Sequence, residues 1–331
     1  MLKDGKILGA FIVPTGIGAS IGGFAGDASV WAGKFSGISS LIVNPNVVNA
    51  GGFSGIKPDM LYVEGYSLDE FFKGNINLLP SNSNKIGVVF DKSIPQDVLN
   101  VHINTIRAVK CVYGVDIAEF AVTKEDVNVK FKLENNGNST GSVGNIETVI
   151  DCAKSLIDKG CNAIAIVCLF DEAESLNEDY SKGVGVDPVG GVEAIISHYV
   201  SKELKVPCAH SPAFVDYQIS SELVDGRAAS EYITPTFLPC ILLGLNNAPL
   251  IDCNRGISVD NLDYLVMPYN SLGSTPVFEA LKRKIPIFAI KENETILDVT
   301  NANLFNNSEM IKCFETYEDC LVHIKQEFQK F

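Results

Sequence analysis

Apolar runs of strand length recur at Ile7–Val13, Ser40–Val43, Met60–Val63, Ile86–Phe90, Ile117–Val122, Ala163–Phe170, Leu262–Met267 and Ile285–Ile290. Most are continuous and not alternating, the pattern of strands covered by helices on both faces. Between them the apolar spacing turns helical, most clearly over Gln96–Val109, Asn145–Lys159, Val189–Leu204, Thr275–Lys284 and Thr316–Gln329. This alternation predicts an α/β fold, doubly wound, with mostly parallel sheets built from Rossmann-like βα units in two lobes. The polar stretch 134–144 (ENNGNSTGSVG) has almost no side chain to bury and reads either as a linker or as a loop over an active site. Taken as a linker, it divides the chain into an N-terminal α/β lobe, 1–140, and a C-terminal α/β lobe, 141–331.

The 331 residues, 46% hydrophobic, suffice for well-buried cores and exclude disordered and fibrous classes. A net charge of −14 argues against a nucleic-acid partner, because a phosphate backbone is repelled by that field. The longest apolar runs, 163–170 and 237–245, fall far short of the roughly 20 residues needed to span a bilayer, so no membrane partner is expected. Lys3 and Lys6 before the first apolar stretch resemble a secretion signal. Asp4 interrupts that basic end and Pro14 cuts the stretch short, so a first core strand is the better reading. Nine cysteines without a Cys-x-x-Cys motif read as reduced thiols, which points to the cytoplasm. The many apolar segments are compatible with a homodimer.

The glycine-rich segment after the first strand, 13–27 (VPTGIGASIGGFAGD), lets backbone approach a ligand, and a helix start there would favour an anion. Its spacing matches neither Gly-x-Gly-x-x-Gly nor a Walker sequence. Thr15, Gly16, Gly18, Gly22, Gly23 and Asp27 are the candidate ligand-binding residues, with a closely packed helix as the alternative. Asn44 and Asn46 follow the second strand, where open α/β sheets bind ligands, although Asn is also an ordinary turn residue. Glu64 ends the third strand in the same way. In the second half, Asp187-Pro188 marks a helix start, and Gly190 and Gly191 in its first turn call for close packing or a ligand. Val189, Val192, Ile195, Ile196 and Tyr199 form the predicted buried stripe, leaving Glu193 and Ser197 on another face with His198 next to them. His210 and His198, with Glu64 and Glu193, are the candidate acid–base groups. Asp187, His198 and His210 are also the residue types of a zinc or iron site, without a diagnostic spacing. Cys208 beside His210 is a further, weaker nucleophile candidate. Arg227 and Glu231 have the spacing of a helical ion pair. Ser271, Gly273, Ser274 and Thr275, before Pro276, form a βα turn able to hold phosphate oxygens. That turn and Ile285-Pro286-Ile287 resemble, over a short span, the nucleotide-sugar loop of two-domain glycosyltransferases and related epimerases.

In order along the chain, Val13-Pro14-Thr15-Gly16-Ile17-Gly18-Ala19, Asn44-Pro45-Asn46-Val47, Tyr62-Val63-Glu64-Gly65-Tyr66, Gly185-Val186-Asp187-Pro188, Ile196-Ser197-His198, Pro207-Cys208-Ala209-His210 and Thr236-Phe237-Leu238-Pro239-Cys240 resemble a family of bacteria and photosynthetic eukaryotes, domain of unknown function 3326. The resemblance implies a common fold and a common site without naming a reaction or a cofactor. The residues themselves suggest an enzyme of transferase or hydrolase type. In that reading glycine-rich turns hold a small phosphorylated or carboxylated metabolite and a histidine moves the proton. A non-catalytic metabolite-binding or regulatory protein, and a metal-dependent enzyme on Asp187, His198 and His210, are the alternatives.

Overall fold

The computed structural model describes residues 7–81, 83–170, 180–216 and 219–328. Lys3, Asp4, Lys6 and Gln329, which entered the readings above, lie outside them. Ten strands carry the fold: β1 (Leu8–Phe11), β2 (Ser40–Val43), β3 (Met60–Tyr62), β4 (Ile86–Phe90), β5 (Ile117–Val122), β6 (Ala163–Leu169), β7 (Cys208–Ala213), β8 (Tyr264–Pro268), β9 (Ile287–Ile290) and β10 (Ile311–Phe314). One sheet has the order β10-β9-β8-β1-β2-β3 and the other β7-β6-β4-β5, and every pairing in both is parallel. In each sheet the order runs outward in both directions from a central strand, which is the doubly wound arrangement the sequence predicted.

The continuous apolar runs are explained by burial on both faces. Phe11, Val43 and Tyr62 from one sheet and Val88, Phe90 and Val167 from the other share a single core, joined by Leu238, Ile241, Leu242 and Leu245. Those four belong to the helix Leu238–Asn246, which lies between the sheets. Opposite faces are closed separately. Helices Gly65–Lys73 and Thr275–Arg283 cover Ala10, Ile42 and Leu265, while Ile146–Asp158 and Gly190–Leu204 cover Val89, Ile164 and Ile166. Apolar patterning leaves β7 and β10 unmarked, because small and polar residues break their runs, His210, Ser211 and Pro212 in one and Lys312 in the other. As an edge, β7 tolerates Pro212, which has no N–H to give a ladder.

Sheet membership does not divide at residue 140. The first sheet takes β1–β3 from the start of the chain and β8–β10 from its end, and the second takes β4–β7 from the middle. The polar stretch 134–144 is no bridge between sheets; most of it closes an antiparallel hairpin, Val129–Leu133 against Ser139–Val143. Ser139 fastens that hairpin down. Its N–H donates to the Gly16 carbonyl at 3.1 Å, its hydroxyl donates to the Pro188 carbonyl at 3.0 Å, and its Oγ accepts from the Gly191 N–H at 3.0 Å.

A methyl group on Gly191 would collide with the Ser139 carbonyl, so only glycine allows this docking. Gly191→Ala is expected to cost roughly 1–3 kcal/mol. Urea unfolding of the two proteins measures it, and an unchanged midpoint would mean that the hairpin is not held there.

Candidate functional site

A cavity of about 410 Å³ opens beyond the carboxyl ends of β1, β2 and β7. Thr15, Gly23 and Gly26 reach it from the turn after β1, and Asn46 and Asn49 from the segment after β2. Asp187, Gly190 and Glu193 come from the start of helix Gly190–Leu204, and His210 from β7. The volume is that of a small-molecule site, and its position is where open α/β sheets bind ligands.

The docked hairpin and the Asp187 cap fix how this helix faces β7. Asp187 Oδ1 accepts from the Val189 N–H at 3.0 Å, satisfying a free amide at the helix start. From that start, Glu193 and Ser197, one turn apart, both point to His210. Ser197 Oγ lies 3.2 Å from the Ala194 carbonyl and 2.9 Å from His210 Nδ1. With its one proton given to the carbonyl, which can only accept, the hydroxyl oxygen accepts from Nδ1–H and the Nε2 lone pair is left on the Glu193 side. Nε2 lies 4.0 Å from Glu193 Oε2, too far for a direct hydrogen bond and close enough for one polar atom to bridge. Glu193 Oε1 is buried without a hydrogen-bond partner.

Electrostatics favour the uncharged form of both partners in this contact. Burial raises the Glu193 carboxyl well above its ordinary range, and the nearby charges of Asp187 and Glu231 push it the same way. Burial, helped by the neighbouring His198, holds His210 down at about 3. Glu231 is raised to about 8 by burial and then by Asp187, although its Oε1 accepts from the Tyr180 hydroxyl at 3.2 Å. Asp187 itself is raised by burial against its backbone hydrogen bonds. Asp216 also lines the cavity, and no lysine or arginine among the described residues does so.

Several predicted site residues are placed elsewhere. Glu64 caps helix Gly65–Lys73, accepting from Tyr66 N at 2.7 Å and Ser67 N at 2.9 Å, which is a structural role. Asn44 grips Val13 through both ends of its amide, at 3.0 and 2.8 Å, while Asn46 donates to the Pro14 carbonyl and borders the cavity. Gly16 lies against Ser139, and Gly18 against Val186 and Ile296. Gly22 donates to Asp27 Oδ1, and burial lifts Asp27 to about 6. The chain's own acceptors thus occupy several amides in and beside the expected anion cradles: Gly22 N donates to Asp27, Ile21 N donates to Asn293 at 2.9 Å, and Val189 and Gly191 are engaged as above.

The turn Ser271–Thr275 is remote from the cavity lining. Ser271 pairs with Val299, Gly273 packs on that same valine, and Thr275 hydrogen-bonds Asp69. Ser274 stands at the start of helix Thr275–Arg283 without making a side-chain cap. His198 turns away as well, its Nδ1 donating to the Ala194 carbonyl at 3.1 Å and its ring packed on Gly65 and edge-on to Tyr66. Consequently Asp187, His198 and His210 do not converge, and no three His, Cys, Asp or Glu side chains among the described residues are placed to hold a metal ion. Cys208 is buried outside the cavity lining with its thiol pushed well up, unlike a nucleophile. Tyr199 is 47% exposed, because the buried face of the helix also takes in Glu193, Ser197 and Val200. Arg227 pairs with Asp225 at 3.0 Å and leaves Glu231 to the cavity. Glu231, Tyr180, Phe214 and Tyr232 are cavity residues that no motif announced.

The family described as a protein of unknown function, DUF3326, matches residues 9–326. The chain belongs to this family. A relative, an uncharacterized lipoprotein of Synechococcus sp., is 33% identical over 307 residues, covering 90% of this chain and 85% of that protein. No solved structure matches. Among the described residues of this DUF3326 chain, no helix is long and apolar enough to cross a membrane.

The raised carboxyl of Glu231 has a consequence for stability. The folded chain keeps its proton up to about pH 8, whereas the unfolded chain loses it near 4.5. Between these values the folded state binds more protons, so stability falls as pH rises through the window. His210 acts in the opposite sense, since its folded value of about 3 lies below the usual 6.5 and stability is lost as pH falls between them. Glu231→Gln should therefore gain thermal stability relative to wild type as pH rises from about 5 to 9. Melting curves across that range test it, and parallel profiles would contradict it.

Proposed function

We propose that the cavity is the active site of an enzyme acting on a small polar molecule, with Glu193 as proton donor and His210 Nε2 as proton acceptor. The observation that carries this reading is the buried, unpartnered Glu193 Oε1 on the cavity wall, beside an imidazole whose lone pair faces the same carboxyl. Burying a carboxyl with an unmet oxygen is costly, and proteins tend to concentrate such costs at functional sites. A protonated acid 4.0 Å from a neutral base gives both partners of general acid–base catalysis at neutral pH. Transferases and hydrolases both use such pairs. The anionic substrate suggested by the glycine-rich turns is disfavoured by a wall that carries carboxyls and, among the described residues, no lysine or arginine, and by the chain's own acceptors on the Gly22 and Gly191 amides. Six buried cysteines held within the cores support a reducing compartment, and the cytoplasm is the location we infer.

Wild type, Glu193→Gln and His210→Asn, incubated with pooled small metabolites and followed by NMR, provide the test. Compounds consumed by wild type should still bind His210→Asn, with turnover lower by about 10²–10⁴-fold. Turnover unchanged in both variants would overturn the assignment. Binding without turnover in wild type would favour a metabolite-binding protein.

A further inference from the structure

We infer that the ligand of this cavity carries a positively charged amine or guanidinium group, seated between Glu193, Asp187 and Glu231 and against the neighbouring aromatic rings. The inference rests on the cavity being a small-molecule site and adds the charge class of what it takes. Four carboxyl-bearing residues, Asp187, Glu193, Asp216 and Glu231, line the cavity with His210, and no lysine or arginine among the described residues does so. A carboxyl cluster alone can be structural, and part of this one is: Asp187 caps its helix and Glu231 accepts from Tyr180. Glu193 is different. It is 6% exposed, its Oε1 has no partner, and it borders the cavity, so its acceptor capacity is open only to what enters.

The rest of the wall suits a cation as well. Tyr180, Phe214, Tyr232 and Phe237 border the same space, and aromatic faces attract ammonium and guanidinium groups, most strongly where water is excluded. An anionic ligand would meet the carboxyls of Asp187, Glu193 and Glu231 and no lysine or arginine among the described residues. A neutral polyol could hydrogen-bond but would bring no charge to partner the carboxyl oxygens. A cation brings that charge, and its arrival draws Glu231, protonated up to about pH 8 in the folded chain, toward its ionised form, releasing a proton to solvent. The groups that face each other in that exchange are Asp187, Glu193, His210, Asp216 and Glu231.

Calorimetric titration of the full chain with putrescine, agmatine and ethanolamine, against butanediol, ethylene glycol and succinate, tests the inference. Repeating it in buffers of different ionisation enthalpy counts the protons released. At least one amine should bind with net proton release, and Glu193→Gln and Glu231→Gln should each weaken it by about tenfold or more. Both variants preserve side-chain shape, and a melting temperature at or above that of wild type at neutral pH shows that they are folded. Diols or succinate binding in place of amines, with that binding lost in Glu193→Gln, would overturn the charge assignment and leave the cavity reading intact. Amine binding indifferent to both substitutions would overturn the assignment too. If none of the six probes bound and the metabolite pools above were also neither bound nor consumed, both readings would fall.

Discussion

The contact on which the site depends is the close approach of Gly191 to the Ser139 carbonyl. It holds the start of helix Gly190–Leu204 against a hairpin made of an otherwise uninformative polar stretch. With the Asp187 cap, it sets the rotation of the helix about its axis, which decides that Glu193 and Ser197 face β7 while His198 faces Gly65. A helix turned by one residue would exchange those roles. Glycine at 190 and 191 is unfavourable by propensity, and close packing on Thr15 and Ser139 offsets it.

Around that contact the two sheets divide the labour. The first sheet supplies the turns after β1 and β2; in the former the Gly22 and Ile21 amides donate to Asp27 and Asn293 and the Gly16 carbonyl accepts from Ser139 N–H, which fixes the wall. The second sheet supplies His210, and the helix between the sheets supports the cavity floor through Cys240 and Ile241. Asp187, Glu193 and Glu231 share a space with no lysine or arginine among the described residues; burial raises all three, and Asp187 adds to the rise of Glu193 and Glu231. The chemistry of the site follows from this shared burden more than from any single residue.

Much of the fold was legible because burial on both faces of a parallel sheet writes itself as unbroken apolar runs. Eight of the ten strands lie on such runs, and the two that do not are edges. The site was legible only in part. Asp187, Gly190, Glu193 and His210 stood out because glycines in a helix start and scarce histidines are unusual features of the sequence. Glu231 did not, since its partner by spacing, Arg227, chose Asp225, a preference set by loop geometry. The glycine-rich turn and Ser271–Thr275 looked alike as anion cradles. Sequence cannot say that side chains distant in the chain, such as Asn293 and Ser139, fill the first, or that the second faces Val299.

The proposed acid–base pair requires His210 to be an uncharged base whose free nitrogen faces Glu193. Nitrogen-15 NMR of the imidazole rings, with the His210 signals identified by their loss in His210→Asn, measures it directly. A single Nδ1–H tautomer that stays neutral until the pH approaches about 3 is expected. A ring that titrates near the ordinary value of 6.5, or carries its proton on Nε2, would contradict it.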